Sequence, residues 1–447
     1  MTEFPLSLAT SLYSENIAYQ DANGFVTYAK LYEDVIARAN QLNSTETSNQ
    51  RFAFCPRNDY TTLVDLWAIW LVGAAACPLS HRYPDERRQH ITTKLAADWL
   101  PSPQPTPGNK TFAPSLDPDR PATIILSSGS TGDPKAIVHS LRAHIASAKG
   151  SASRIPLGPG DRWLWSLPAF HVGGLSIPIR CANSGATVCG VLDSESSVGQ
   201  LIAESSPTHI SLVPTQLQRL LDHKSDLSSI EAALVGGMAV PSSLIQLALD
   251  RGISIHTTYG MTEMASQVTT THRIESVTPS SGTALPHCEV RISLDDEIMV
   301  RGESLCLGVL RNGTIDSVVN EEGWFATRDR GRFDDQESLV LLGRVDNMFI
   351  SGGENIHPEA IERAILNLPQ IKQAVVVPVD DPEFGARPVA FVDALVMEPE
   401  KWDAELRLVL AGFEIPKRFH PWPDEAMLAI KPDRKLLREI AIGNRKP

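Results

Sequence analysis

The segment Ser127-Ser128-Gly129-Ser130-Thr131-Gly132-Asp133-Pro134-Lys135 gathers four hydroxyls, two glycines and one lysine between two β-like runs, Thr123–Leu126 and Ala136–His139. Glycines let a backbone approach a ligand closely and adopt dihedrals closed to other residues. Hydroxyls and unpaired N–H groups donate to phosphate oxygens, and a lysine adds a point charge. The chemistry this pattern suits is phosphate binding. It is not a Walker A loop, which needs GxxxxGK[ST] opening a helix. Here Gly129 and Gly132 are three apart, Pro134 precedes the lysine, and a strand follows. Taken alone, the segment is equally compatible with a plain Ser/Gly hairpin turn.

The elements that must position this loop alternate in type. Short β-like runs recur at Trp163–Leu167, Ala186–Gly190, His209–Val213, Ala233–Val235 and Ser254–Thr258. Helical patterns lie between several of them, at His144–Ser153, Ser197–Glu204, Thr215–His223 and Pro241–Arg251. Upstream, Thr27–Leu42 reads as an amphipathic helix, Phe52–Phe54 as a short strand and Tyr60–Ala76 as a largely buried helix. Strands alternating with helices predict an α/β architecture with largely parallel sheets. From Gly282 to Leu342 the pattern changes to short strands and turns, predicting a small, β-barrel-like part. Beyond it, helix Pro358–Asn367, strands Gln373–Pro378 and Val389–Val396, helix Lys401–Leu410 and a polar tail predict a small α+β domain. The expected division is an N-terminal body over residues 1–345 and a C-terminal domain over 346–447.

Composition narrows the function classes. The 447 residues carry 40 Lys+Arg against 53 Asp+Glu, a formal charge of −13, with 42% hydrophobic residues. Such a chain can bury a sizeable core, and its acidity argues against nucleic acid or an anionic membrane as partner. An anionic small molecule at a local site is still permitted. The longest apolar stretch, Leu66–Leu79, is broken by Gly73 and Pro78 and falls short of the roughly 20 residues a membrane span requires. No secretion signal is expected from Met1-Thr2-Glu3-Phe4-Pro5. The six cysteines form no CxxC pair, as expected for reduced packing residues in the cytoplasm. Homo-oligomerisation is left open.

The phosphate-loop segment resembles the signature of the adenylate-forming superfamily: acyl-CoA synthetases, firefly luciferases and peptide-synthetase adenylation domains. Ala136 stands where that signature usually carries glycine. Companion motifs follow in order. Trp165 to Gly174 resembles the family's Pro-x-Phe-His segment, Val235-Gly236-Gly237-Met238 its adenine-side turn, and Tyr259-Gly260-Met261-Thr262-Glu263 its Tyr-Gly-x-Thr-Glu signature. Trp324 to Asp329 resembles the strand bearing the ribose-binding aspartate, and Gly343 to Ile356 the hinge region. Ile430 to Leu437 resembles the terminal Gly-Lys-Ile-x-Arg segment, with Ile430 in place of glycine.

This resemblance implies ATP-dependent activation of a carboxylate to an acyl-adenylate, then transfer of the acyl group to a thiol, with ATP, Mg²⁺ and coenzyme A taking part. It implies that Ser127, Ser128, Gly129, Ser130, Thr131, Gly132 and Lys135 hold the terminal phosphates. It assigns the α-phosphate to Thr262, Mg²⁺ to Glu263 and the ribose hydroxyls to Asp329 with Arg344. Gly236, Gly237, Tyr259 and Gly260 fall on the adenine side. Lys431 would bridge the carboxylate and the α-phosphate during adenylation. The C-terminal domain would rotate about Asp346 to present Gly352–Gly353 to CoA, and the tail from Lys417, with eight Lys/Arg against four Asp/Glu, could help receive that anion.

Within the superfamily the chain is most similar to the o-succinylbenzoate–CoA ligases of menaquinone or phylloquinone biosynthesis. That likeness rests on Ser130–His139, Phe170–Gly174, Tyr259–Ser266 and Phe349–Glu354. The substrate is then a dianion whose aryl carboxylate must be recognised. Arg180, nine residues after His171, is the candidate cation, with Ser266 and Thr262 nearby in motif order and His171 a further candidate for the acyl pocket. Other readings are another acyl- or aryl-CoA synthetase, an enzyme loading a carrier-protein thiol, and a catalytically silent nucleotide sensor.

Overall fold

A computed structural model of the chain describes residues 4–44, 50–103, 117–127, 134–191, 197–423 and 433–443. Two large sheets form the N-terminal body. The first runs Thr283–Ala284, Ser266–Thr270, Ile255–Met261, Ala232–Gly236, His209–Leu212, Arg162–Leu164, Thr187–Cys189, Ile17–Asp21, Gly24–Thr27. Its central strands, from Ile255–Met261 across to Ile17–Asp21, are parallel. The second runs Thr314–Asp316, Gly308–Arg311, Lys135–Ser140, Pro121–Ser127, Ala75–Pro78, Arg51–Phe54, Asp98–Trp99. Parallel strands need their crossovers to cover both faces, and the largest apolar cluster accordingly lies between sheets and helices, around Trp67, Trp163, Trp165, Leu66 and Leu175.

The alternating pattern therefore yields the expected α/β body, with three differences. The buried helix starting at Tyr60 ends at Leu71 rather than Ala76. Gly73, at φ +72°, turns the chain, and Ala75–Pro78 pairs as a strand instead. A continuous apolar run does not by itself tell a buried helix from a buried strand. Helix Val172–Ser184 has no counterpart among the sequence-predicted elements because Pro178 lies inside it. The expected β stretch also divides. Cys288–Ile292, Glu297–Gly302, Phe325–Phe333 and Leu339–Arg344 make a four-stranded antiparallel sheet, whereas Gly308–Arg311 and Thr314–Asp316 extend the second large sheet through Lys135–Ser140.

The C-terminal part packs helix Pro358–Leu366 on the long hairpin Ile371–Asp381/Gly385–Ala394. Within its polar tail lies an amphipathic helix, Arg434–Ala441, that buries Leu437 and Ile440. Among the described residues no helix is long and apolar enough to cross a membrane, and all six cysteines are free.

Candidate active site

In open α/β sheets, ligands bind beyond the carboxyl ends of the parallel strands, and the motifs converge there. Gly236 ends strand Ala232–Gly236. A Cβ on it would lie 2.5 Å from Thr258 Cγ2, and Gly237 follows at φ +79°, so the turn presents bare backbone. Strand Ile255–Met261 runs straight into the single 3₁₀ turn Thr262–Met264. From the other large sheet, Ser127 and Lys135 pair at the end of their hairpin where the two strands are joined. Ser128, Gly129, Ser130, Thr131 and Gly132 lie outside the described residues, as does Lys431.

Tyr259 Oη donates to Asp329 Oδ2 at 2.7 Å, and Arg344 Nη1 donates to Asp329 Oδ1 at 2.9 Å. The aspartate and arginine expected to share the ribose are thus joined. Burial pushes the Tyr259 hydroxyl well above its ordinary pKa, with the Asp329 charge adding to it, so the phenol stays a donor. Glu263, one residue beyond Thr262, is raised by burial, raised further by Asp329 and lowered by the charges of Lys135 and Arg344. Four residues from four motifs therefore share one electrostatic field.

Among the described residues Glu263 has no ion-pair partner, and no group of three or more His, Cys, Asp or Glu side chains forms a metal cage. One carboxylate supplemented by nucleotide phosphates is the usual way a protein holds Mg²⁺, so the donor set fits that ion.

The acyl-side candidates also meet. Arg180, only 3% exposed, projects from helix Val172–Ser184. Its Nη2 donates to Gln267 Oε1 at 2.8 Å and to Ser266 Oγ at 3.3 Å. Its guanidinium carbon lies 5.0 Å from the Trp163 ring centroid. Nε and Nη1 are buried without a hydrogen-bond partner among the described residues, and burial pushes the group down to about 10. A buried cation with two free donors and no counter-ion is costly unless an anion joins it. Gln267 was not among the sequence candidates; its position directly after Ser266 was the available signal. His171 caps the Arg180 helix without a side-chain cap bond. Its ring lies tilted against Phe170, at 4.7 Å between centroids, and the unpredicted His81 meets Phe170 edge-on at 5.8 Å.

The backbone around Ser266 is strained: Ala265 and Ser266 have φ of +50° and +124°. The opposing strand tolerates this only through Gly260, where a Cβ would stand 1.9 Å from Ser266 O. Gly260→Ala should cost about 1–3 kcal/mol by overpacking and raise KM for the acid, through Ser266, together with KM for ATP, through the adenine-side turn. Thermal melts with paired KM measurements check this; an acid KM left at wild-type level would contradict it.

Asp346 accepts from Arg328 at 2.6 Å and 3.1 Å and from Arg344 at 3.3 Å. Burial pushes its carboxyl up, but the two guanidiniums outweigh that and hold it below the usual range. Gly352 and Gly353, at φ +60° and +90°, form the tight turn between Phe349–Ser351 and Glu354–Ile356, where two positive φ values favour glycine. The basic tail carries less free charge than its composition implies. Lys417 pairs with Asp381, Arg438 with Asp380, and Arg434 with Glu362 and Glu359.

The AMP-binding enzyme family matches residues 92–310. A 2-succinylbenzoate–CoA ligase of Salmonella typhimurium is 38% identical over 403 residues, 87% of each chain. The structure of an E. coli MenE variant with bound OSB-AMS superposes with a TM-score of 0.88 at 33% identity, covering 100% of this chain and 99% of that one. That of the Bacillus subtilis o-succinylbenzoate CoA synthetase with the acyl-adenylate intermediate OSB-AMP gives a TM-score of 0.82 at 26% identity, covering 98% and 99%. With this identity over this share of its length, the chain belongs to the 2-succinylbenzoate–CoA ligase family of AMP-binding enzymes.

Proposed function

We propose that the protein is an AMP-forming ligase that converts 2-succinylbenzoate, ATP and CoA to 2-succinylbenzoyl-CoA, AMP and pyrophosphate, acting in the cytoplasm in menaquinone or phylloquinone synthesis. The observation that carries the substrate assignment is Arg180: a buried guanidinium beside the Ser266 hydroxyl, with two donors that find no partner among the described residues. An aryl carboxylate supplies the missing charge and accepts charge-assisted hydrogen bonds from the guanidinium, while the succinyl carboxylate is left free to react.

In the first half-reaction the succinyl carboxylate oxygen attacks the α-phosphorus and pyrophosphate departs. Both reactants are anions, so the protein's task is positioning and charge stabilisation. Thr262 donates to the α-phosphate, Lys135 and the Ser127 loop hold the leaving phosphates, and Asp329 with Arg344 fixes the ribose. Mg²⁺ held by Glu263 neutralises phosphate charge when bound. Lys431 bridges the two reacting groups. The C-terminal domain, 346–447, then turns about Asp346 relative to the body, 1–345. Gly352–Gly353 then faces CoA, the thiol sulfur attacks the acyl carbonyl, and AMP leaves. Such closure also keeps water from the adenylate.

Pyrophosphate release measured over a panel of carboxylic acids, with and without CoA, tests the assignment. Release with 2-succinylbenzoate and formation of its CoA thioester is expected. Turnover with a fatty acid and none with 2-succinylbenzoate would overturn it.

A further inference from the structure

The strand that starts at Lys135 carries a second group aimed at the catalytic turn. His139, four residues on and fully buried, places Nε2 2.6 Å from the backbone carbonyl oxygen of Thr262. A carbonyl can only accept, so Nε2 carries the proton. The ring is wedged from behind: Thr123 Oγ1 sits 2.7 Å from His144 Nε2 and 3.5 Å from His139 Nδ1, and the two imidazole centroids are 5.0 Å apart. The Thr262 carbonyl also accepts from Ala265 N–H at 3.1 Å, closing the 3₁₀ turn, while the next carbonyl, Glu263 O, accepts from Cys306 N–H at 2.7 Å.

These contacts have a directional consequence. The turn Thr262–Met264 hangs on the end of one large sheet, but the clamp comes from the other, which also carries Lys135 at the edge of the phosphate loop. Lys135, Ile137 and His139 lie on one face of their strand by its two-residue period. One straight strand therefore sets both the lysine and the orientation of the turn. A three-residue 3₁₀ turn followed by a strained Ala265–Ser266 pair has little stiffness of its own. Hydrogen bonds to its carbonyls are what define where the Thr262 hydroxyl and the Glu263 carboxylate point.

We propose that His139 is a positioning residue for adenylation, whose ring N–H fixes the Thr262 carbonyl and so aligns Thr262 and Glu263 with the phosphates gripped by the neighbouring loop. The proposal deepens the assignment of Thr262 and Glu263 above and rests on it. Burial holds the His139 ring neutral, pushing it down to about 4, in keeping with a fixed single-donor role.

His139→Phe keeps the ring volume and removes the donor; His139→Gln restores an amide N–H at the reach of Nε2. Adenylation followed by pyrophosphate exchange should fall about 10–100-fold in H139F, with a raised Mg²⁺ requirement. KM for 2-succinylbenzoate and thioester formation from supplied acyl-adenylate should stay near wild type, and H139Q should recover most of the lost rate. A folded H139F with wild-type exchange and Mg²⁺ requirement, or an H139Q no better than H139F, overturns the proposal. Should H139F not fold, His139→Asn replaces it: its shorter amide falls short of the Thr262 carbonyl, so H139N must be impaired where H139Q is not, and equal rates overturn the proposal. A wild-type enzyme that exchanges pyrophosphate with no carboxylic acid overturns the underlying assignment instead, which keeps the two failures distinct.

Discussion

Arg180→Met should lower kcat/KM for 2-succinylbenzoate about 10²–10³-fold while leaving KM for ATP near its wild-type value. Truncating one partner of a buried, hydrogen-bonded charge pair costs about 2–5 kcal/mol, and every tenfold in affinity is about 1.4 kcal/mol. Methionine preserves much of the side chain's length and avoids a cavity. The control is benzoylpropionate, which lacks the aryl carboxylate. It should be a poor substrate for the wild type, and R180M should lose little or nothing on it, so discrimination between the two acids collapses. The free enzyme should not lose stability in proportion, because a buried guanidinium with unpartnered Nε and Nη1 is a cost carried until an anion binds. Steady-state kinetics on both acids, with thermal melts of the free protein, check this. Equal losses on diacid and monoacid would contradict a carboxylate-reading role.

Lys431→Ala should reduce adenylate formation by about 10²–10³-fold, the usual loss when one preorganised group facing developing charge is removed. Thioester formation from synthetic acyl-adenylate and CoA should be largely retained, since under the proposed rotation the domain would present a different face, Gly352–Gly353, in that half-reaction. Equal impairment of both half-reactions would argue against domain rotation about Asp346. Half-reaction assays by rapid quench separate the two outcomes.

The site was more legible in the sequence than parts of the scaffold. Tyr259, Asp329 and Arg344 come from distant segments, yet ordered motifs named all three, and the structure joins them through one carboxylate. Reactions on phosphates demand particular donors, so spacing and residue type carry information there. Helix Val172–Ser184 illustrates the opposite case. Pro178 breaks the local pattern and cannot donate to the Gly174 carbonyl, which instead accepts from Trp165 Nε1 at 2.9 Å, a contact from outside the helix. The tail helix Arg434–Ala441 was hidden by its charges, because Arg434 and Arg438 read as solvated until their acidic partners are seen. Gln267, directly after Ser266, and His139, at the end of the Ser130–His139 segment, were not singled out as site residues for a related reason. Gln267 bonds Arg180 across 87 positions and His139 bonds Thr262 across 123, and no local pattern encodes a contact that tertiary structure alone creates.

The central claim, that this chain joins 2-succinylbenzoate to CoA through an acyl-adenylate, is tested most directly by a single-turnover rapid-quench experiment. The wild-type enzyme is mixed with 2-succinylbenzoate, ATP and Mg²⁺, and CoA is added only after a delay. The expected result is acyl-adenylate and pyrophosphate in equal amounts before CoA, then conversion of that adenylate to CoA thioester and AMP. ADP and phosphate as products, or a thioester formed without prior adenylate, would contradict the account.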